Sequence, residues 1–315
     1  MSSFTKQELL KYVQEFSVAE PPFRVWTLTF GEHKSKQTGE GIEFKEYRPY
    51  SPGEDVQNLD MDETLRAGEP MVRDNLTEEK VRYVILLDDS LSLKSYGMRE
   101  TALLSLGCYL ASAVKERDPA QAIVIRGNVK PYVSPKIYGM DDVVSVLLEL
   151  WDMPCAIGHQ PSTLKECSSV SSQTISLANT RLLFVSDFLF RDAKAVYDRK
   201  SKTMVFEGRD ILRSAVGSTF AGGVVSTEIT FLGVSPDWKN FQKQRGFFRY
   251  QDQEDSSLGL VFFPWKKSAQ KFVRLQYERE RVWQNAARLS GIPMAWVHAT
   301  SPQSIIKELE RQLSG

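Results

Sequence analysis

The sequence has few cysteines and no excess of charge of either sign. Only Cys108, Cys155 and Cys167 occur among 315 residues, and no Cys-x-x-Cys spacing suggests a zinc site or a redox pair. Forty acidic side chains balance forty basic ones, so the basic excess with which nucleic-acid binders neutralise phosphates is missing. These absences predict reduced cysteines and a protein that does not bind nucleic acid.

Long apolar runs and the common nucleotide-binding and nucleophile motifs are also missing. No stretch approaches the roughly 20 apolar residues needed to cross a bilayer, and MSSFTKQELLKYVQEF lacks the features of a signal peptide. The sequence contains no Gly-x-x-x-x-Gly-Lys-Ser/Thr phosphate loop and no Gly-x-Ser-x-Gly elbow. No pair of histidines has zinc spacing. We therefore expect a cytoplasmic protein that is not an enzyme.

What the sequence does contain, beyond its first 79 residues, is an alternation of apolar strands with amphipathic helices. The apolar segments have the length and continuity of strands buried on both faces, and they are Tyr83–Leu87, Ala122–Ile125, Leu182–Val185, Glu228–Val234 and Pro293–Val297. Helical periodicity lies between or after them, at about 98–117, 140–151, 210–220 and 267–289. This alternation predicts an α/β fold, a parallel-rich Rossmann-type sheet with helices on both faces.

Two regions are predicted. Residues 1–79 begin with a short amphipathic helix near 5–16 and continue with β-like pieces at Val25–Phe30 and Ile42–Tyr47 separated by turn signals. Residues 80–315 form the α/β domain, with a β-hairpin insertion around 245–265.

Polar side chains follow two of the predicted strands. Asp88, Ser90 and Ser92 come directly after the first apolar strand in Asp-x-Ser-x-Ser spacing, and Asp187 ends the third. Thr163 lies in a loop between them and adds a hydroxyl. Ligands of such sheets bind at the carboxyl ends of the strands, and hard cations prefer oxygen ligands. We therefore predict a site for Mg²⁺, Mn²⁺ or Ca²⁺.

Capping offers an alternative for these polar residues. Aspartate and serine at a strand end often cap the next helix. Ser162 or Thr163 could likewise be the N-cap of the helix ahead, with Glu166 near the capping-box position. Asp89 is expected to face solvent; the alternative is that it substitutes for Asp88 as a ligand.

The pattern of Asp88-Asp89-Ser90-Leu91-Ser92 with a middle threonine and a later strand-end aspartate resembles the metal-ion-dependent adhesion site of von Willebrand A domains. The resemblance implies that Ser90, Ser92 and Thr163 bind the metal directly. It implies that Asp88 and Asp187 hold the metal's waters, and that an acidic residue of a partner completes the coordination.

A longer resemblance covers nearly the whole chain. The strings Gly31–Ser35, Gly41–Tyr50, Pro52–Val56 and Val185–Leu189 are similar to the bacterial family catalogued as domain of unknown function number 58. Its members carry a von Willebrand A-like domain and are commonly encoded beside MoxR-type AAA+ ATPases. The resemblance implies an adaptor, chaperone-like in character, that acts with such an ATPase on a protein client. Leu59-Asp60-Met61 departs from the family by lacking its usual tryptophan.

The last long helix has many basic side chains, which are Lys266, Lys267, Lys271, Arg274, Arg279, Arg281 and Arg288. They are expected to form a solvated face; the alternative is contact with an acidic partner or a peripheral contact with membrane lipid. The predicted function is metal-ion-dependent protein–protein interaction. Two alternatives are a structural scaffold with a vacant metal site and a metal-dependent hydrolase, although no general base is identifiable for the latter.

Overall fold

The structure of the protein is a computed structural model. It describes residues 4–18, 38–39, 43–51, 59–76, 82–126, 129–154, 163–174, 180–215, 227–242, 245–251 and 258–313. The chain divides into two compact units. The larger unit is formed by Met1–Leu28 and Val81–Gly315, and the smaller unit is Thr29–Lys80.

The smaller unit contains a short antiparallel sheet and one helix. Its elements are β1 (Thr38–Gly39), β2 (Glu43–Pro49), α2 (Met61–Ala67) and β3 (Met71–Leu76), with β3 between β1 and β2 in the sheet. Helix α2 was not predicted; Asp60 caps it by accepting hydrogen bonds from the amides of Asp62 and Glu63. The predicted strand Ile42–Tyr47 corresponds to β2, whereas Val25–Phe30 lies outside the described residues.

The larger unit is built on a six-stranded sheet and two hairpins. Its strands are β4 (Arg82–Asp88), β5 (Ala120–Arg126), β6 (Val129–Val133), β7 (Thr180–Ser186), β8 (Lys194–Asp198), β9 (Thr203–Glu207), β10 (Thr227–Pro236), β11 (Gly246–Gln251), β12 (Leu258–Phe263) and β13 (Met294–Ala299). The sheet has the order β13-β10-β7-β4-β5-β6, and its pairs are parallel except that β6 is antiparallel to β5.

Helices cover both faces of this sheet. One face packs against α1 (Lys6–Val18), α3 (Met98–Lys115), α4 (Met140–Asp152) and α8 (Pro302–Leu313), and the other against α5 (Leu164–Thr174), α6 (Arg209–Ser214) and α7 (Lys266–Leu289). Alternation along β4 sends Ile85 and Leu87 to the first face and Val84 and Leu86 to the second. The predicted fold class, α/β with a parallel-rich sheet between helical layers, is confirmed.

The first helix packs against α3. Leu9 and Val13 of α1 are fully buried. Close approach requires a residue without a side chain, because a Cβ on Gly107 of α3 would lie 2.6 Å from Val13 Cγ2. Helix α1 therefore belongs to the larger unit, although the sequence grouped it with the β-rich region that ends at residue 79.

Two antiparallel hairpins form separate two-stranded sheets in this unit. The pair β11–β12 corresponds to the predicted hairpin insertion. The pair β8–β9 was not predicted, and it packs against α7, where the ring of Phe206 lies 4.7 Å from that of Trp283. Within the described part of the chain, no helix is both long enough and apolar enough to cross a bilayer.

Candidate metal centre

The sheet brings Asp88 and Asp187 to the same edge. Strands β4 and β7 are parallel neighbours, with Leu87 opposite Val185, so the two aspartates that follow leave adjacent strand ends. Both carboxylates are buried, at 1% and 3% exposure. The Ser186 hydroxyl donates to Asp88 Oδ2 at 3.0 Å. Both carboxylates thus lie at one edge of the sheet, and their role in holding a metal stays a prediction.

Ser90 and Ser92 occupy the loop after β4. Their hydroxyl oxygens are 2.9 Å apart, and Ser90 precedes a short 3₁₀ turn over Leu91–Lys94. The Ser92 hydroxyl also interacts with the Asp187 carboxylate. The two hydroxyls are therefore close to each other and, through Ser92, linked to the second carboxylate.

Asp187 has an incompletely satisfied carboxylate. Burial raises its pKa above the usual range, while the Ser92 hydroxyl, the Leu189 amide and the charge of Arg279 act in the opposite direction. Oδ1 accepts a hydrogen bond from the Leu189 amide at 3.1 Å, but Oδ2 is buried without a hydrogen-bond partner. A buried carboxylate oxygen without a partner calls for explanation, and a bound cation would satisfy it.

The donor set fits a hard divalent cation. Two carboxylates and two hydroxyls supply only oxygen ligands, which Mg²⁺, Mn²⁺ and Ca²⁺ accept. Across the described ranges no three His, Cys, Asp or Glu side chains gather where they could hold a metal ion, so carboxylates alone do not make a site. A cation here would depend on the hydroxyls of Ser90 and Ser92.

Thr163 is the N-cap of α5. Its Oγ1 accepts a hydrogen bond from the Glu166 amide at 3.1 Å, and Glu166 Oε2 accepts one from the Thr163 amide at 3.3 Å. This is the capping box that the sequence offered as the alternative. The first turn of α5 lies near the candidate site, because the charge of Asp88 contributes, after burial, to a raised pKa of Cys167. A metal-ligand role for Thr163 stays a prediction.

Replacing Thr163 by alanine is expected to lower the free energy of unfolding by about 1 kcal/mol, since the cap of α5 is lost. Urea unfolding of the wild type, Thr163→Ala and Thr163→Asn measures this, with asparagine as the control that preserves the cap. Equal midpoints for all three proteins would show that the hydroxyl does not stabilise the helix.

The prediction that Asp89 faces solvent is wrong. Asp89 is only 1% exposed and accepts two hydrogen bonds from Arg99, Nε to Oδ1 at 2.9 Å and Nη2 to Oδ2 at 3.1 Å. Arg99 also donates to the carbonyls of Leu150 and Met153 at the end of α4. Asp88 bonds to Ser186 on the neighbouring strand instead. Asp89 thus stabilises the helical layer, leaving Asp88 for the site.

His298 forms a second buried polar cluster that sequence analysis missed. Its Nδ1 lies 2.9 Å from Glu308 Oε1 and its Nε2 3.3 Å from Glu280 Oε2. Trp238 Nε1 donates to the other oxygen of Glu280 at 2.7 Å. These residues come from β13, α8, α7 and the loop after β10, so no spacing in the sequence could have connected them.

The His298 cluster should make stability depend on pH. Burial acts to lower the pKa of His298, but hydrogen bonds to Glu280 and Glu308 raise it to about 9, against about 6.5 in the unfolded chain. The imidazolium therefore contributes stability that is complete below about pH 6.5 and is lost as the pH rises through 9. We expect His298→Gln to cost about 2 kcal/mol at pH 6 and much less at pH 10. Urea unfolding at both pH values measures this, and a cost independent of pH would contradict it.

Arg279 was expected on the solvated basic face of the last helix, and this is wrong. Arg279 is half-buried, and its guanidinium lies over the Trp296 ring, 5.8 Å from the centroid. Arg274, by contrast, is exposed and pairs with Glu278 one turn along the helix. The basic character of the sequence could not distinguish these two positions.

Comparison with known proteins gives a family and several distant structures. The family described as "Protein of unknown function DUF58" matches residues 46–206. An aerotolerance-related membrane protein from Bacteroides fragilis is similar in structure, at 12% identity and a TM-score of 0.40, over 73% of this chain and 99% of that chain. The pilus adhesin SpaC from Lactobacillus rhamnosus GG matches at 10% identity and a TM-score of 0.41, over 75% of this chain and 30% of that one. A von Willebrand factor type A protein from Catenulispora acidiphila matches at 9% identity and a TM-score of 0.35, over 76% and 43%. No curated protein matches the chain.

Proposed function

The chain belongs to the protein family of unknown function DUF58, and from this premise we propose that it is a protein-interaction module whose binding depends on a divalent cation. The observation that carries the proposal is the buried Asp187 Oδ2, which has no hydrogen-bond partner and lies beside the Ser92 hydroxyl. A buried acceptor of this kind costs stability unless something satisfies it.

Four residues would hold the cation. The hydroxyls of Ser90 and Ser92 would be ligands, and the carboxylates of Asp88 and Asp187 would hold its waters, as in the adhesion site that the sequence resembles. Hard cations such as Mg²⁺ keep open or water-filled positions, so the bound ion would supply a coordination site for an acidic side chain. The protein's own residues hold and neutralise the ion and do no chemistry on the partner.

The proposed partner is a MoxR-type AAA+ ATPase, with a protein client whose assembly or maturation the pair supports. This part rests on the family resemblance alone. A cytoplasmic location is part of the same proposal. It is supported by Cys108 and Cys167, which are both free and buried thiols and so suit a reducing compartment.

The partner proposal is tested by titrating the chain with a purified MoxR-type ATPase from the same organism, with Mg²⁺ and again with EDTA. We expect saturable binding that weakens at least tenfold in EDTA. Asp88→Asn should weaken it similarly in Mg²⁺, because the side chain keeps its shape but loses its charge. Asp198→Asn, a partly exposed residue at the end of β8, is the matched control and should bind like the wild type. Equal binding with and without EDTA would contradict metal dependence.

The alternative is a structural scaffold that does not use the metal site. The engagement of the Thr163 hydroxyl in the cap of α5 favours this alternative, because one of the three predicted hydroxyl ligands is already used. The two functions differ in the effect of Asp88→Ala. A scaffold would keep full affinity for its partner after this substitution, whereas the metal-dependent module would lose it.

A further inference from the structure

Arg279 lies next to the strand end that carries Asp187. Arg279 and Trp283 are one turn apart on α7, so they project from the same side of the helix. Trp283 packs on Phe188 with ring centroids 5.0 Å apart, and Trp296, over which Arg279 lies, packs on Phe188 at 5.8 Å. Phe188 directly follows Asp187. Arg279 therefore lies over a ring that packs on Phe188, the residue that follows Asp187.

A glycine in β10, the strand next to β7, leaves space for the Trp296 ring. Gly233 of β10 pairs with Ser186 on one side and with Trp296 on the other. A Cβ at Gly233 would overlap the Trp296 ring, so the ring lies flat over the glycine, next to the residue that precedes Asp187. The ring then provides a fixed surface on which a guanidinium is favourably placed.

Phe188, at the centre of these contacts, has an unusual backbone. Its φ is +54°, in the left-handed region that non-glycine residues seldom adopt. The conformation is held by ring packing against Phe184, Phe231 and the two tryptophans. Ring packing therefore maintains a strained backbone at the residue that follows Asp187.

Asp187 and Arg279 carry opposite charges, but no hydrogen bond joins their side chains. Asp187 Oδ2 and Arg279 Nε are both buried without a hydrogen-bond partner. Each group also alters the other electrostatically, because the positive charge of Arg279 favours ionised Asp187 and the negative charge of Asp187 favours charged Arg279. A buried charge is tolerated only when an opposite charge or a metal compensates it.

We propose that Arg279 is the resident counter-ion of Asp187 and competes with a divalent cation for this carboxylate. The metal part of the proposal rests on the proposed function, whereas the pairing of the two residues does not. A cation entering the site meets the repulsion of a fixed positive charge at low dielectric. Arg279 therefore keeps the intrinsic metal affinity low and partly offsets the charge of the carboxylate when no metal is present.

The pairing is tested without metal by a double-mutant cycle in EDTA, using Arg279→Gln, Asp187→Asn and the double variant. Urea unfolding gives the equilibrium constant for each. If the two residues interact, each single variant already loses the whole interaction, and the double variant loses it only once. We therefore expect the unfolding equilibrium constant of the double variant to be at least fivefold smaller than the value obtained by multiplying the two single effects. The matched control is Arg281→Gln, at an exposed position two residues along α7. Its effect on the unfolding equilibrium constant should simply multiply with that of Asp187→Asn. If the effects of Arg279→Gln and Asp187→Asn on the unfolding equilibrium constant also simply multiply, the pairing is overturned.

The competition is tested by titrating Mn²⁺ into the metal-stripped wild type, Arg279→Gln and Arg279→Lys. We expect Arg279→Gln to bind Mn²⁺ about tenfold more tightly than the wild type, the size of a typical coupling between two sites. Arg279→Lys keeps the positive charge that repels the cation and should stay within about twofold of the wild type. Equal affinities for the wild type and Arg279→Gln would overturn the competition while leaving the proposed function intact. Absence of Mn²⁺ binding in all three would overturn both, and the double-mutant cycle would still decide the pairing.

Discussion

Replacing Arg99 by methionine is expected to lower the free energy of unfolding by about 3–5 kcal/mol, the cost of removing one partner from a buried ion pair. Asp89 is 1% exposed and would keep its charge without the two hydrogen bonds from Arg99. The carbonyls of Leu150 and Met153 at the end of α4 would lose their donor as well. Methionine fills much of the space of the arginine stem, so the loss comes from the charge and the hydrogen bonds rather than from a cavity.

The measurement is urea unfolding at neutral pH, with Arg274→Met as the matched control. Arg274 also pairs with a carboxylate, at the same distance of 2.9 Å, but its side chain is 81% exposed. A surface pair of this kind contributes about 0–1 kcal/mol, so the control should remain close to the wild type. Similar small losses in both variants would show that the Asp89–Arg99 pair does not hold α3 and α4 to the strand end.

Replacing Trp283 by alanine is expected to cost about 3–5 kcal/mol as well, the range for deleting a large buried aromatic side chain. Trp283 is fully buried and contacts Phe188, Phe190 and Phe206 at ring distances of 5.0, 6.3 and 4.7 Å. It therefore joins the β8–β9 hairpin and helix α7 to the strand end of Asp187. Removing the Trp283 ring should also leave Phe188 with fewer packing contacts.

Trp265 provides the control for this substitution. It lies just before the same helix and is 71% exposed, so Trp265→Ala should change the free energy of unfolding by less than about 0.5 kcal/mol. Trp283→Phe is expected to cost less than Trp283→Ala, because it keeps a ring and removes an indole N–H that is buried without a partner. Thermal and urea unfolding of the three variants check this order, and equal stability of Trp283→Ala and Trp265→Ala would contradict it.

The strand ends of the site could be predicted from the sequence because the runs before them are continuous. Tyr83–Leu87 and Leu182–Val185 are apolar without interruption, as strands covered on both faces must be, and each stops at a polar residue. Because β4 and β7 are parallel neighbours, Asp88 and Asp187 follow these runs at the same edge of the sheet.

Residues whose environment comes from distant elements could not be predicted. Asp89 is buried because α3 presents Arg99 to it, and no local pattern distinguishes it from a solvent-facing aspartate. Thr163 had two interpretations, and the structure shows the cap. The hairpin β8–β9 was missed because its side chains are only partly buried, so its apolar residues give no strong period. Arg279 has the same sequence context as the exposed arginines of α7, and only the position of Trp296 separates it from them.

Asp88 and Asp89 illustrate the division of roles at this strand end. Adjacent in sequence and equally buried, they turn to different partners, a serine of the next strand and an arginine of α3. Substitution of Asp89 should therefore affect stability, whereas substitution of Asp88 should affect binding.

The most direct test of the metal centre is calorimetric titration of the metal-stripped protein with Mg²⁺, Mn²⁺ and Ca²⁺. The double variant Asp88→Ala/Ser90→Ala and the control Asp198→Ala, a partly exposed residue at the end of β8, are titrated in parallel, after their unfolding midpoints have shown that they are folded. We expect the wild type and the control to bind one ion saturably, and the double variant to bind none. Absence of binding to the wild type up to millimolar metal, or equal binding by the double variant, would contradict it.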